Sequence, residues 1–140
     1  MTRPAHKILL IDDDVDLTQM YAPVLEHAGY TVRTAHTSIE GFEAFRSFQP
    51  DVALVDLSME HFDSGFVLCH KIKALPEGER AMVIILTSAG HETGFRFSTQ
   101  TREERAWIHA DDFLDKPITA HDLLHYLGEK LRHADAATDR

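Results

Sequence analysis

The sequence has few of the features that mark secreted or membrane proteins. It has a single cysteine, Cys69, which cannot form a disulfide within the chain and so gives no sign of a secreted disulfide scaffold. No apolar run approaches the roughly 20 residues that a membrane span requires. The polar start MTRPAHK also lacks the apolar core of a signal peptide. We therefore expect a cytoplasmic protein.

An excess of positive charge is also missing. The chain has 14 Lys and Arg residues against 23 Asp and Glu residues, which gives a net charge of -9. Such a charge repels nucleic-acid phosphates and anionic membranes, and it suits a basic protein partner or a bound cation. We expect no direct contact with nucleic acid and none with a membrane.

The length and composition favour one folded unit. A chain of 140 residues has room for one ordinary domain, and 44% hydrophobic residues with 26% charged residues are typical of a globular protein. No internal repeat or low-complexity linker divides the chain. We expect a single domain over residues 1–140, with a core over about 6–132 and a short polar tail at 133–140. We expect no attached DNA-binding domain in this chain.

Five short apolar runs alternate with helical patterns. The first, third and fourth runs are continuously apolar, as in strands that helices cover on both faces, whereas the second alternates as an edge strand does. The pattern predicts an α/β fold with a five-stranded parallel sheet, helices on both faces and a doubly wound order. The predicted strands are 7–11, 30–35, 52–55, 82–86 and 112–115.

The helices between these strands have recognisable ends and apolar stripes. Gly29 is placed to end the first helix, Thr37 and Glu40 have capping-box spacing at the start of the second, and Thr119 can cap the last. A third helix is predicted over about 65–74. The expected buried stripes are Leu17, Met20, Tyr21, Val24, Leu25 and Ala28 in the first helix, and Ile39, Phe42, Phe45 and Phe48 in the second.

Polar side chains follow the predicted strands. Three aspartates, residues 12–14, follow the first strand, Asp56 follows the third, Thr87 follows the fourth and Lys116 follows the last. The carboxyl ends of parallel strands share one edge of the sheet, so these side chains are expected to meet. Two carboxylates about 4 Å apart repel by on the order of 4 kcal/mol at an effective dielectric near 20. A divalent cation removes this cost, and Mg²⁺ prefers oxygen ligands.

Four motifs give the chain a family resemblance. "KILLIDDD", "VALVDLSM", "VIILTS" and "FLDKP" resemble, in order and spacing, the receiver domains of two-component response regulators over about residues 6–132. Each motif alone is weak, but all four in this order on a five-fold strand and helix pattern are specific. The resemblance is greatest to single-domain, chemotaxis-regulator-like receivers, and it implies a flavodoxin-like receiver fold.

The resemblance implies a metal site and a phospho-acceptor. By position, Asp56 matches the aspartate that receives the phosphoryl group. Asp12, Asp13 and the backbone carbonyl of Ser58 match the groups that, with Asp56, hold Mg²⁺ or Mn²⁺. In this family Asp13 would be a direct ligand, and Asp12 would act largely through water.

The resemblance also implies a switch around the phosphoryl group. Lys116 would pair with that group, Thr87 would form a hydrogen bond to it, and Phe113 matches the aromatic residue that rotates on switching. Phe113 also fits plain core packing, and the two roles are compatible. The peptide before Pro117 is often cis in this family.

The function that follows from the resemblance is signalling. The chain would receive a phosphoryl group on Asp56 from a sensor histidine kinase or a histidine phosphotransfer protein, and would act as a phosphorylation-controlled switch on an unknown output protein. It would not be an enzyme beyond weak self-catalysed phosphorylation and dephosphorylation. A homodimer is left open.

The chain departs from the family pattern in two regions. In the loop after the third strand, Glu60 stands where the family usually has proline, and Ser64 is an extra residue. Thr87 and Lys116 are 29 positions apart, longer than usual by roughly two helical turns. Ser88 stands where alanine is usual. Because the longer segment falls on the usual output surface, the identity of the output partner does not transfer.

Two rival functions remain from the sequence. A degenerate receiver would dock to a partner without being phosphorylated. A haloacid-dehalogenase-like phosphatase is suggested by "DVDLT" at residues 14–18, which matches the Asp-x-Asp-x-Thr signature of those enzymes. The order of motifs counts against this enzyme, because Asp111 and Asp112 precede Lys116 and Asp56 is left without a task.

Overall fold

Hydrophobic strands that end in polar residues build one parallel sheet. The computed structural model describes residues 6–57, 59, 64–87 and 110–138, except for the side chains of 66, 79 and 133–138. A single 3₁₀ turn, Pro76–Glu79, follows the third helix. In chain order the elements are β1 (Lys7–Ile11), α1 (Val15–His27), β2 (Thr31–Ala35), α2 (Ser38–Phe48), β3 (Val52–Asp56), α3 (Ser64–Lys73), β4 (Met82–Thr87), β5 (Asp112–Asp115) and α4 (Ala120–Thr138).

The order of the strands is β2-β1-β3-β4-β5, and every neighbouring pair is parallel. The predicted α/β fold and the edge position of the second strand are therefore confirmed. The chain moves from β1 to β2 on one side and then returns to β3 on the other. This places the topological switch point of the flavodoxin-like order between the carboxyl ends of β1 and β3.

Side chains alternate along the strands between two hydrophobic cores. Leu9, Val55 and Ile85 face the core that α2 and α3 cover, whereas Leu10 and Leu54 face the core that α1 and α4 cover. This alternation is the period of a strand, and it lets one sheet bury both of its faces. None of the helices in the described part of the chain is long and apolar enough to cross a membrane.

The ends of α1 follow from local chemistry. The carboxylate of Asp14 accepts the backbone N–H of Leu17 at 3.1 Å and caps the start of the helix. At the other end Gly29 has a φ of +107°, and the N–H of Tyr30 donates to the carbonyl of Leu25 at 3.2 Å. This is the glycine-terminated helix end that the sequence predicts.

The buried stripe of α1 is narrower than predicted. Thr18, Tyr21 and Leu25 are buried, whereas Met20 is 50% exposed and Ala28 is also exposed. The helix turns about 100° per residue, so a stripe centred on Tyr21 and Leu25 leaves residue 20 to one side. The prediction that Met20 and Ala28 are buried was wrong.

The start of α2 was predicted correctly, but one of its apolar residues was not. Thr37 accepts the backbone N–H of Glu40 at 3.0 Å, as the capping spacing predicts. Ile39, however, is 77% exposed, and its predicted burial was wrong. The helix packs through Gly41 and Phe45, because a Cβ at Gly41 would lie 2.8 Å from the side chain of Ile11. The close approach of α2 to β1 turns Ile39 outward.

The contrast between two helical glycines gives a first prediction. No atom lies within 4 Å of a Cβ built at Gly128 in α4, so Gly128→Ala should raise the free energy of unfolding by about 0.5–1 kcal/mol. Gly41→Ala should lower it by about 1–3 kcal/mol, because the new methyl group meets Ile11. Urea unfolding measures both changes. Equal stability of the Gly41 variant and the parent would contradict the close packing of α2 on β1.

Candidate functional site

Three carboxylates meet at the carboxyl edge of the sheet, at the switch point. Asp12 and Asp13 follow β1, and Asp56 is the last residue of β3. One oxygen from each carboxylate lies within 4.8 Å of the others. Asp12 is 3% exposed and Asp56 is 7% exposed, whereas Asp13 is exposed to solvent. Two of the three charges are therefore held away from water.

Backbone hydrogen bonds position Asp12. Its N–H continues the pairing of β1 with β2 by donating to the carbonyl of Ala35 at 3.0 Å. Its carboxylate oxygen Oδ1 accepts the N–H of Asp14 at 3.0 Å, and its carbonyl lies 3.0 Å from the ring nitrogen Nδ1 of His36. The aspartate is thus fixed where the chain turns from β1 into α1.

Lys116 follows β5, the strand at one end of the sheet, and its side chain completes the cluster. Its ammonium group donates to Asp12 Oδ2 at 2.8 Å and to Asp56 Oδ1 at 3.1 Å. Its side chain is 19% exposed, and its backbone N–H donates to the carbonyl of Thr87 at 2.8 Å. The peptide between Lys116 and Pro117 is cis, as the family resemblance implies.

Of the remaining predicted site residues, the structure describes Thr87 and Phe113. Thr87 ends β4 at the same edge of the sheet and is 3% exposed. Phe113 pairs in register with Ile85 and packs, half-buried, against the core that α2 and α3 cover. Its switch role stays a prediction. Ser58 lies outside the described residues. So do the departures from the family pattern at residue 60 and within 88–109.

Gly65 brings α3 against the chain that leaves Asp56. Its N–H donates to the carbonyl of Leu57 at 2.6 Å. A Cβ at this position would lie 2.5 Å from the carbonyl oxygen of Asp56, so no larger residue fits without movement of the backbone. Ser64, which we expected to be an extra residue of the loop, is buried and is the first residue of α3.

Burial and charge shift the pKa values in the cluster. Burial, with the charge of Asp12, raises the pKa of Asp56 to about 6, although Lys116 opposes this rise. Burial and the charge of Asp12 also raise the pKa of Asp13. Burial alone would lower the pKa of Lys116, but its contacts with Asp12 and Asp56 outweigh that effect and raise it. The ammonium is therefore held charged.

The donor set fits a small divalent cation. Three ionised carboxylates and one ammonium sum to a charge of -2 (three times -1, plus 1). Carboxylate oxygens are the hard ligands that Mg²⁺ and Mn²⁺ prefer, and a cation here would offset the remaining negative charge. Without such compensation, an anionic ligand would be repelled from this edge of the sheet.

Sequence reasoning missed one contact beside the cluster. Tyr21 was predicted only as part of the apolar stripe of α1, yet its hydroxyl donates to the carbonyl of Ile118 at 2.7 Å. A tyrosine at a buried helix position signals that its hydroxyl needs a partner. The partner lies 97 positions away, so the sequence does not identify it.

The fold and site define a class of doubly wound α/β proteins with an acidic pocket at the switch point. A model of the response regulator receiver domain matches residues 8–128. The chain therefore belongs to the family of response regulator receiver domains. Receiver domains of this family are phosphorylation-controlled signalling switches that bind Mg²⁺ at an acidic pocket.

Curated relatives are longer than this chain. Response regulator MprA of Mycobacterium ulcerans is 29% identical over 133 residues, which cover 95% of this chain and 53% of MprA. The DNA-binding dual master transcriptional regulator RpaA of Synechocystis sp. is 30% identical over 129 residues, which cover 92% of this chain and 50% of RpaA. The chain thus spans about half the length of these relatives.

Solved structures of similar length match the whole fold. The chemotaxis response regulator CheY4 of Vibrio cholerae is 25% identical with a TM-score of 0.75, over 89% of this chain and 98% of CheY4. A CheY-like receiver domain protein from Methanospirillum hungatei is 26% identical with a TM-score of 0.75, over 95% of this chain and 98% of that one. The receiver fold predicted from the sequence is confirmed.

The raised pKa of Asp56 predicts how stability depends on pH in the metal-free protein. Its pKa is about 6 when folded and 3.8 ordinarily, so between about pH 4 and 6 the folded state binds more protons than the unfolded state. This contribution to stability is full below pH 4 and is lost as the pH rises through 6. Replacing the carboxyl of Asp56 with a neutral group should therefore raise the free energy of unfolding more at pH 7 than at pH 4.

Urea unfolding of the parent and Asp56→Asn in EDTA tests this dependence. The stability of the variant relative to the parent should increase from pH 4 to pH 7 by up to about 3 kcal/mol, since each pKa unit corresponds to about 1.4 kcal/mol. A difference between the two proteins that stays constant with pH would show that Asp56 has an ordinary pKa.

Proposed function

We propose that this chain receives a phosphoryl group on Asp56 and uses it as a signal, with a sensor histidine kinase or a histidine phosphotransfer protein as the donor. The observation that carries the proposal is the ammonium of Lys116 shared between Asp12 and Asp56, with Asp13 beside them. We also propose that residues 1–140 form one receiver domain with its core over about 6–132.

The proposed metal site uses the three carboxylates. Asp13 is the exposed member and would contact Mg²⁺ or Mn²⁺ directly, whereas Asp12 is already engaged by Lys116 and would act largely through water. The carbonyl of Ser58 is the proposed backbone ligand. When bound, the cation would polarise the phosphoryl oxygens and offset the negative charge of the site.

The proposed reaction is a displacement at phosphorus. A carboxylate oxygen of Asp56 forms a new O–P bond while the P–N bond of the donor phosphohistidine breaks, and the imidazole leaves with the bonding electron pair. Lys116 lies where it can stabilise the transferred group, and Thr87 is proposed to bind one of its oxygens. Because the donor is already reactive, the chain mainly positions and stabilises.

The proposed output is a change at the end of the sheet. A phosphoryl group adds nearly two negative charges beside Thr87, which would be drawn toward it, and Phe113 would rotate into the space that Thr87 leaves. The half-buried position of Phe113 on β5 supports this role, because the core does not fully enclose the ring. Self-catalysed loss of the phosphoryl group is proposed to be slow.

The geometry counts against the phosphatase alternative. That reading needs Asp14 as a nucleophile, but the carboxylate of Asp14 caps α1 by accepting the N–H of Leu17. Asp56, which that reading leaves idle, is instead buried beside Lys116. The docking alternative uses the same fold, so only a test of phosphorylation separates it from a working receiver.

Phosphorylation is tested by intact mass after treatment with acetyl phosphate. The parent with millimolar Mg²⁺ should gain one phosphoryl group, because the cation and Lys116 offset the charge of the donor. Asp56→Asn and parent in EDTA should gain none. Lys116→Met should label at least about tenfold more slowly, as loss of one stabilising donor commonly does.

Asp16→Asn is the matched control for the label, since Asp16 is an exposed acid in the first turn of α1 outside the cluster. It should label at the rate of the parent. A parent without label in Mg²⁺ would favour the docking module. Steady turnover of a generic phosphate ester would favour the phosphatase.

The metal site is tested by thermal unfolding. Millimolar Mg²⁺ at about ten times its Kd would stabilise the folded protein by about 1.4 kcal/mol. The melting temperature should then rise by about 2–6 °C. Asp13→Asn should abolish this rise and Asp16→Asn should keep it, because Asp13 belongs to the carboxylate cluster and Asp16 does not. An identical melting curve of the parent with and without Mg²⁺ would count against the metal assignment.

A further inference from the structure

One buried hydroxyl joins α1 to the segment that carries Lys116. Tyr21 is 2% exposed within the core that α1 and α4 cover, and its phenol donates to the carbonyl of Ile118 at 2.7 Å. Ile118 lies two residues after Lys116. The helix that supplies the phenol begins directly after the acidic residues of the site. The contact therefore joins the helix that follows Asp12 and Asp13 to the segment that carries Lys116.

Among the described residues, hydrogen bonds on both sides of Pro117 anchor the backbone of the segment around Lys116. Pro117 has no N–H, so the chain between Lys116 and Ile118 lacks one donor. Before the proline, the N–H of Lys116 donates to the carbonyl of Thr87 at 2.8 Å. After the proline, the hydroxyl of Tyr21 holds the carbonyl of Ile118. The lysine is thus fixed to β4 on one side and to α1 on the other.

The phenol keeps its proton and so remains a donor. Burial raises the pKa of Tyr21, the charge of Lys116 lowers it and the charge of Asp12 raises it. The net effect is a raised pKa, so the hydroxyl stays protonated at neutral pH and can donate to the carbonyl of Ile118.

We infer that Tyr21 is a positioning residue for Lys116, which it holds between Asp12 and Asp56 through the carbonyl of Ile118. The inference rests on the proposed phosphoryl-acceptor function. Transfer to Asp56 depends on the placement of the ammonium to within about 1 Å. The ammonium also repels a cation that shares its carboxylates. A loosened Lys116 should therefore slow phosphorylation without weakening the binding of Mg²⁺.

Tyr21→Phe tests this inference, because it removes the hydroxyl and keeps the ring in the core. Tyr126→Phe is the matched control: it also removes a phenol hydrogen bond, to Asp112, at the other end of β5. The measurements are the rate of labelling by acetyl phosphate at saturating Mg²⁺, the Kd of Mg²⁺ by calorimetry, and the melting temperature.

The expected result is a divergence between rate and affinity. Tyr21→Phe should label about three- to tenfold more slowly, while its Kd for Mg²⁺ stays equal to that of the parent or falls by about twofold. Tyr126→Phe should stay within about twofold of the parent in both quantities, although its melting temperature falls. General damage to the fold would instead slow labelling and weaken metal binding together.

The inference is overturned by a Tyr21→Phe rate within about twofold of the parent, by an equal loss of rate in both variants, or by slower labelling with weaker Mg²⁺ binding. If the parent and Tyr21→Phe label at the same normal rate, the inference is wrong and the proposed function is unaffected. A parent that takes no label removes the proposed function, and the inference falls with it.

Discussion

The structure of the site depends on one ammonium group placed between two buried carboxylates. Lys116 contacts Asp12 and Asp56 across 104 and 60 positions of the chain. Buried charges are costly unless they are paired, and removal of the lysine would leave two carboxylates side by side with little water. Because the three residues leave three different strands, the pairing forms only when β1, β3 and β5 stand in their final order.

Most of the buried polar residues lie at one edge of the sheet, where they can pair with one another. The buried polar residues in the described part of the chain are five: Asp12, Thr18, Asp56, Ser64 and Thr87. Three of them end or follow strands at the carboxyl edge, and Ser64 opens the helix that follows β3. The interiors of β1, β3 and β4 are apolar on both faces, so the two cores stabilise the fold while the buried polar groups gather at the carboxyl edge.

The sequence predicts the sheet well because its signal is local. An apolar run that ends in aspartate, threonine or lysine gives both a strand and its polar end, and the parallel arrangement then gathers those ends. The carboxylates and Lys116 are brought together as that reasoning expects. Their roles in phosphoryl transfer stay predictions, since a geometry alone does not show a reaction.

The predictions that failed depend on contacts between residues that are far apart in the sequence. Ile39 was placed in the core because it is apolar, but Gly41 brings α2 so near β1 that the stripe is centred on Phe45. Glycine has no side chain to signal such an approach in an apolar pattern. Tyr21 was recognised as a core residue but not as a donor, because its partner at Ile118 is distant in the chain.

The shifted pKa of Asp56 shows how the site balances two demands. In the metal-free protein, burial and the neighbouring Asp12 raise this pKa to about 6, so the carboxylate is more basic than that of an exposed aspartate. The ammonium of Lys116 opposes the rise, so most of the carboxylate is still ionised at neutral pH. A lysine held less firmly would leave Asp56 more basic but more often protonated. The segment that holds Lys116 therefore helps to set the protonation state of Asp56.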